Sequence, residues 1–168
     1  MSDTKNVKLG VCTVYFDDKD LGFTKGGVEV EVSTDTHKVT VDQFGESEVN
    51  EYIMKRTVVA RVPLAETTLQ NLVKIMPGAE LVGSGDKLRV DVTNGVGISL
   101  LDTAKKLRLV PVGAVDSNDD FVIHRAATAG AISFAYKVNE ERIFNCEFTG
   151  YPDPSTKLLF SVGDEEAA

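Results

Sequence analysis

Apolar and polar residues alternate along most of the chain, and this pattern indicates strands. The clearest case is residues 28–32, where three valines alternate with Glu29 and Glu31. Successive side chains of a strand point to opposite faces, so one face of this segment is expected to be apolar and the other acidic. The alternation resumes at 39–41, after four small polar residues at 33–36 that favour a turn. Further strands are predicted at 11–16, 54–62, 88–92, 107–112, 121–124, 132–136, 143–148 and 158–162.

One helix is predicted between residues 65 and 76. Apolar residues recur there at the spacing of one helical face, at Ala65, Leu69, Leu72, Val73 and Met76. A proline precedes the helix, and a Pro-Gly pair follows it as a stop signal. A single amphipathic helix in a strand-rich chain has to cover apolar surface, and we expect it across a face or open end of a β-sandwich.

The chain of 168 residues fits a single domain, 1–168. The polar and acidic stretch 42–52 is longer than a hairpin turn needs. It is either a solvated loop or a docking arm whose scattered apolar residues bury on a neighbouring subunit. The N-terminal arm 1–9 and the C-terminal tail 163–168 are expected to be mobile in an isolated subunit.

Residue types that carry chemistry are not clustered in the sequence. His37 and His124 are the only histidines, and no zinc-ligand spacing, P-loop or nucleophile elbow occurs. The acidic runs 17–22 and 116–121 depart from the calcium-binding loop pattern and favour turns. No enzymatic activity, metal or cofactor is therefore expected.

The composition limits the possible partners and surroundings. The net charge of −8 argues against a protein that reads nucleic-acid sequence, but it suits a wall that repels phosphate. No apolar run is long enough to span a bilayer, and the first residues lack the layout of a signal peptide, so we expect a cytoplasmic site of synthesis. Cys12 and Cys146 lie in apolar, strand-like stretches; we expect buried reduced thiols, with a disulfide as the minority alternative.

Segments near the two ends of the chain carry a resemblance to a known family. A Leu-Gly turn leads into a Lys-Gly-Gly sequence and a long alternating strand, and late in the chain a Tyr-Pro-Asp-Pro turn precedes a short apolar strand. In this order, the segments resemble bacteriophage tail tube proteins, the major tail proteins of long-tailed phages. The segments are 20–32, 42–45, 146–154 and 158–163.

The resemblance implies a β-sandwich or barrel-like tail-tube fold with one flanking helix. Subunits of this family form hexameric rings that stack into a tube, and long inner strands of neighbouring subunits join edge to edge around the lumen. The implied role is a structural virion protein of a flexible, non-contractile tail, a passive acidic-lined conduit for DNA ejection into the host. The implied location is the tail of the virion, after assembly in the cytoplasm of the bacterial host.

The resemblance also implies partners. These are further copies of the chain, a tape measure protein, a tail terminator and distal tail or baseplate proteins. Phage DNA would pass through without sequence-specific binding, and no membrane insertion or cofactor is implied.

Two groups of residues follow as candidates for this role. Glu29 and Glu31 share one face of the alternating strand and are the candidate lumen-facing residues. Contacts between subunits are expected in the 42–52 loop and in the basic residues after it, which with Arg61 would pair with acidic residues of a neighbour. The candidate contact residues are Asp42, Phe44, Glu46, Glu48, Val49, Tyr52, Lys55 and Arg56.

Two alternatives remain open at this point. The first is a related tube, either the inner tube of a contractile tail or the tube of a type VI secretion system. The second is a stand-alone β-sandwich binding module, which would be a monomer with ordered termini.

Overall fold

The computed structural model describes residues 2–8 and 10–167. Strands make up 44% of the chain and helical residues 12%, which confirms the predicted mainly-β class. The strands are β1 (Cys12–Phe16), β2 (Lys19–Asp20), β3 (Glu29–Thr40), β4 (Glu48–Leu64), β5 (Ala79–Ser84), β6 (Lys87–Val92), β7 (Lys105–Pro111), β8 (Phe121–Ala127), β9 (Phe144–Gly150) and β10 (Phe160–Val162). The α-helices are α1 (Leu69–Ile75) and α2 (Leu100–Thr103).

Eight strands form one antiparallel sheet in the order β2-β1-β7-β8-β9-β4-β3, with β10 paired to β8. Strands β5 and β6 form a separate hairpin. Phe16 of β1 contacts Phe148 of β9 with ring centroids 5.0 Å apart, although β7 and β8 separate these strands in the sheet. The sheet must therefore fold back on itself around the core, which gives a β-sandwich-like arrangement.

The core is filled from the inward faces of the alternating strands. In β9 and in residues 58–64 of β4, every second residue is buried and its neighbours are exposed or half-buried. This matches the alternation in the sequence, because a strand with one wet face buries every second side chain. The largest fully buried side chains are those of Phe148, Leu21, Leu64, Ile75, Leu107 and Ile123.

The two longest strands form one continuous hairpin, and this differs from the prediction. The turn predicted at 33–36 is wrong, because β3 continues through these residues to Thr40. β4 starts at Glu48, so the predicted 42–52 loop is reduced to a turn at 41–47. The polar residues suit a strand here because they bond across it: the hydroxyls of Ser33 and Thr57 lie 2.6 Å apart.

The predicted helix is present but shorter than residues 65–76. It begins after Thr68, whose hydroxyl accepts a hydrogen bond from the N–H of Asn71, an N-cap. Residues 65–68 are not helical, and the N–H of Ala65 donates to the carbonyl of Phe23 next to the bridge between Thr24 and Leu64. The buried Asn71 side chain donates to the carbonyl of Leu21 at 2.8 Å, which ties the helix to the loop after β2.

The strand predicted at 132–136 is absent, and residues 128–143 contain no helix or strand. β8 ends at Ala127, and Gly130 then adopts a φ of 80°. A Cβ atom there would lie 2.4 Å from the Sδ atom of Met76. The chain therefore turns at a position that only glycine fits, and it leaves the sheet before the alternating residues begin.

Both cysteines are free thiols, as predicted for the majority alternative. Cys146 is buried in the core, and desolvation raises the pKa of its thiol to about 12. Cys12 is only half-buried, and burial also raises the pKa of its thiol. Both groups are protonated at neutral pH and therefore weak nucleophiles.

One ion pair reaches into the interior at the junction of β7 and β8. Asp120 is almost fully buried, and its Oδ2 atom accepts hydrogen bonds from Nε and Nη2 of Arg108 at 2.8 and 2.6 Å. The hydrogen bond to Asp120 is the main cause that raises the pKa of the Arg108 guanidinium. The backbone carbonyl of Asp120 also accepts from Gly163, so the same residue holds the start of the C-terminal tail.

Candidate assembly surfaces

The far half of the β3–β4 hairpin projects from the body of the protein. No residue from 33 to 56 is buried, and all are exposed except Val39 and Val41, which are half-buried. The hairpin nevertheless has a regular ladder, with shifts of register after Asp35 and Val39. A two-stranded ribbon without a covered face is marginally stable by itself in water, so this half lacks the packing that normally supports such a structure.

The projecting half carries several large apolar side chains in solvent. Phe44 lies at the tip, in a short 3₁₀ turn from Asp42 to Phe44, and is 67% exposed. Val49, Tyr52, Ile53 and Met54 follow along β4 and are all exposed. Exposed apolar residues concentrated on one element mark interaction surfaces more often than scattered ones do.

All eight predicted contact residues lie on this projecting half. Asp42 and Phe44 belong to the tip, Glu46 follows in the turn, and the remaining five belong to β4 rather than to a loop. Those five are Glu48, Val49, Tyr52, Lys55 and Arg56. The structure therefore brings the predicted residues together on one hairpin, most of them in a strand ladder and not in a loop.

Two basic residues of the hairpin, Arg56 and Lys38, already have partners within the chain. The Arg56 Nε atom donates to the hydroxyl of Thr34 at 3.2 Å, and Lys38 pairs with Glu48 at 2.8 Å. The hydrogen bond that the Lys38 ammonium donates to Glu48 is the main cause that raises the pKa of Lys38. Both contacts are exposed, and exposed contacts of this kind contribute little to the free energy of unfolding.

Arg61 forms its ion pairs with Glu31 and Glu147 of the same chain, at 3.0 and 3.4 Å. The hydrogen bond to Glu31 is the largest cause that raises the pKa of the guanidinium. Within the chain, Arg61 thus lies between carboxylates of β3 and β9. The pairing of Arg61 with acidic residues of a neighbour stays a prediction.

The two candidate lumen residues lie on the outward face of the sheet. Glu29 and Glu31 alternate with valines that point to the core side, and Glu147 of β9 shares their outward face across Arg61. Glu147 was not among the predicted residues, although its alternation with the buried Cys146 and Phe148 is the signal that could have identified it. This face holds three carboxylates around one guanidinium and is therefore acidic.

Next to this face, a second ion pair connects distant parts of the chain. The ammonium of Lys25 hydrogen-bonds the carboxylate of Glu141, and this contact is the main cause that lowers the pKa of Glu141. A shallow hollow opens between Lys25 and Arg61 over Gly26 and Gly27. Both glycines have positive φ angles, of 97° and 88°, which other residues rarely adopt.

The segment 128–143 contains an aromatic cluster that sequence reasoning also missed. The Arg142 guanidinium lies over the rings of Phe134 and Tyr136, 5.5 and 5.6 Å from their centroids. It also donates to the hydroxyl of Thr67. Arginine and aromatic residues that are partly exposed together are the residue types enriched in protein interfaces.

Both chain ends contact the body within the described residues. Lys8 hydrogen-bonds the carboxylate of Asp119, and Glu165 pairs with Lys106 at 3.1 Å. The arm and the tail, which the sequence analysis expected to be mobile, are thus held by exposed ion pairs. Such contacts are weak and sensitive to salt.

Residues 2–8 and 10–167 contain no group of three or more His, Cys, Asp or Glu side chains placed to hold a metal ion. In the same residues, no helix has the length and apolar character needed to cross a membrane.

Comparison with protein-family models finds no match for this chain, and comparison with curated proteins finds no similar sequence.

Proposed function

We propose that the chain is the subunit of a self-assembling tube of the kind that forms the tails of long-tailed bacteriophages. The observation that supports this most is the projecting half of the β3–β4 hairpin, residues 33–56. It has ladder geometry and exposed apolar residues but no packing partner in the part of the chain that the structure describes. An element of this kind gains its packing when it lies against another molecule. A second copy of the chain is the partner that the resemblance to tail tube proteins implies.

The free edge of the sheet also supports self-assembly. β3 is twelve residues long and pairs only with β4 among the described strands. A long edge strand offers a row of unpaired N–H and C=O groups to another chain, and proteins that stay monomeric normally shorten or cover such an edge. Here the near half of β3 carries Val30 and Val32, both partly exposed. In a ring, this edge would join the sheet of the neighbouring subunit.

The acidic outward face gives the tube its function as a conduit. In the proposed ring, the face with Glu29, Glu31 and Glu147 lines the lumen, where carboxylates repel phosphate groups and keep DNA mobile. Arg61 neutralises part of this charge, since it binds Glu31 and Glu147. The proposed location is the virion tail, with a tape measure protein, a tail terminator and distal tail proteins as further partners.

Electron microscopy of the purified protein over a concentration series tests the proposal. Rings or tubes with a regular repeat and an open channel are the expected result, and they would give the number of subunits per ring. A dispersed monomer at every concentration, even in the presence of preformed tail-tip complexes as initiators, would contradict the proposal and favour the stand-alone binding module.

Charge reversal on the outward face tests the lumen assignment. We expect the double variant Glu29→Lys/Glu31→Lys to form normal tubes, because both side chains are exposed, but to release DNA more slowly. Lysines in the channel would bind phosphates, so the delay should shrink as the salt concentration rises. The measurement is the rate of DNA ejection from assembled particles, together with their infectivity.

The matched control is Glu29→Gln/Glu31→Gln, which removes the same carboxylates without adding positive charge. It should eject DNA at close to the normal rate. Normal ejection by the lysine variant at low salt would show that this face does not line the lumen.

A further inference from the structure

The irregular segment 128–143 is not paired through its backbone with any other backbone segment that the structure describes. It makes no backbone–backbone hydrogen bond with any other described residue. Irregular segments of this length are uncommon in compact domains and are usually functional. Within it, residues 132–136 alternate Ile, Phe and Tyr with Ser133 and Ala135, which is a strand pattern. A stretch with the sequence of a strand and no neighbouring strand points to a partner outside the chain.

The segment runs beside an open part of the sheet. The carbonyl of Pro63 in β4 points toward the β3 side, where it accepts a hydrogen bond from the N–H of Lys25. Pro63 and Asn145 of β9 are therefore a non-hydrogen-bonded pair, and the backbone N–H and C=O of Asn145 point away from β4. The same alternation turns Glu147 that way, and neither residue has a backbone partner among those described. A slot of about 420 Å³ separates them from residues 128–133, and only the Asn145 side chain reaches across, to the carbonyl of Ser133.

Strand β3 is the other edge of the sheet portion formed by β9, β4 and β3. Since Glu29 faces Arg61 on the bonded side of the β3–β4 ladder, the N–H groups of Val30, Val32 and Thr34 point outward, away from β4. The two valines are 37% and 41% exposed, although they lie on the side of the sheet that faces the core. The side chains of Val30 and Val32 are therefore partly exposed, and their outward backbone groups face no other described strand.

We propose that residues 132–136 become a strand on the β3 edge of a second copy of the chain. This inference rests on the proposed self-assembly and names the segment that joins one subunit to the next. The segment and β3 lie at opposite edges of the strands β9, β4 and β3, so each copy offers one edge and receives the other. A head-to-tail contact of this kind repeats and closes into a ring when the rotation permits.

The apolar faces of the two elements match. The ring of Phe134 packs on the core residue Phe144, with centroids 5.5 Å apart, so its side of the segment faces the core. In a joined sheet, Ile132 and Phe134 would lie beside Val30 and Val32 of the second copy, as aromatic and β-branched cross-strand neighbours. Residues 128–136 carry no charge, so they add no repulsion to the glutamates of β3.

Amide hydrogen exchange of the monomer and of the assembled protein tests where the strand forms. In the monomer, the amides of residues 132–136 should exchange quickly. On assembly, we expect them and the outward amides of Val30, Val32 and Thr34 to become protected together, by at least about a hundredfold. Protection of 132–136 without protection of β3 would mean that the segment closes on its own β9 edge, and would overturn the proposal.

Proline substitutions supply an independent test. Ala135→Pro and Tyr136→Pro remove N–H groups that would point to opposite sides of a strand. At least one of the two substitutions therefore removes a backbone hydrogen bond to β3. That variant should raise the concentration needed for assembly by about tenfold or more. Both should leave the melting temperature of the monomer nearly unchanged, because these N–H groups have no backbone partner there and the Tyr136 ring, which contacts Arg142, is largely exposed.

Val138→Pro is the matched control, since it places the same residue at a fully exposed site in the same segment, outside the strand pattern. It should assemble like the unchanged chain. If all three variants assemble alike, the segment is not the joint, although tubes still form and the proposed function stands. If the unchanged chain never assembles, both proposals fail.

Discussion

Removing the projecting half of the hairpin should abolish assembly and leave the fold intact. The change replaces residues 36–54 by Asn-Gly, a two-residue turn that suits the opposed residues Asp35 and Lys55. No removed residue is buried, so the free energy of unfolding should change by less than about 1 kcal/mol. Assembly should be lost because Phe44, Tyr52 and the other exposed apolar residues are removed. Electron microscopy and sedimentation report assembly, and thermal unfolding reports the fold.

A second hairpin in the chain provides the control for this deletion. The same Asn-Gly turn can replace Gly85 and Asp86 between β5 and β6, an exposed hairpin that takes no part in the proposed contacts. That variant should assemble normally. Tubes of normal repeat from the shortened chain would show that the hairpin is not an assembly element, and would remove the main support for the proposed function.

The sequence predicted the fold class because alternation with one buried face survives in any sandwich. β4 and β9 were identifiable for this reason. The end of the helix before Pro77 and Gly78 was identifiable for another, because proline and glycine stop helices. The length of the hairpin was not predicted, because beyond Ser33 neither face is buried and the alternation rule has no apolar signal to follow. The serine and threonine residues there also resemble turn residues until their cross-strand partners are known.

For residues 132–136 the prediction was wrong in the opposite sense, since the sequence indicates a strand that the isolated chain does not form. Local propensity describes what a stretch can adopt, and pairing depends on an edge being within reach. After β8 ends at Ala127, the turn at Gly130 takes the chain out of the sheet, and nothing in the sequence reveals that turn in advance. Disagreement of this kind between local pattern and structure is expected at functional or strained positions.

The candidate site was only partly predictable for a related reason. Glu29 and Glu31 could be placed on one face from their spacing, but Arg61 and Glu147 come from other strands. Their position beside Glu31 depends on the register of the β3–β4 and β4–β9 ladders. Register is set by long-range packing, so charge partners across strands stay hidden when single segments are considered.

Replacing Arg108 by methionine should lower the free energy of unfolding more than substitutions at exposed residues do. Asp120 is 1% exposed, its Oδ2 atom binds only Arg108, and its Oδ1 atom has no partner among the described residues. The variant Arg108→Met leaves this carboxylate buried without a counterion. We expect a loss of about 3 kcal/mol, at the lower end of values for broken buried pairs because the Arg108 side chain is 36% exposed.

Changing the other partner of the ion pair should reduce the free energy of unfolding by less, and this difference makes the prediction specific. In Asp120→Asn, the remaining guanidinium can turn its polar groups toward water, so the loss should be about 1 kcal/mol. The double variant Arg108→Met/Asp120→Asn should be more stable than Arg108→Met alone, because no buried charge remains. Thermal and urea unfolding of the three variants measure these differences. Equal losses for both single variants would show that Asp120 is solvated in the folded chain and that the pair does not act as a buried one.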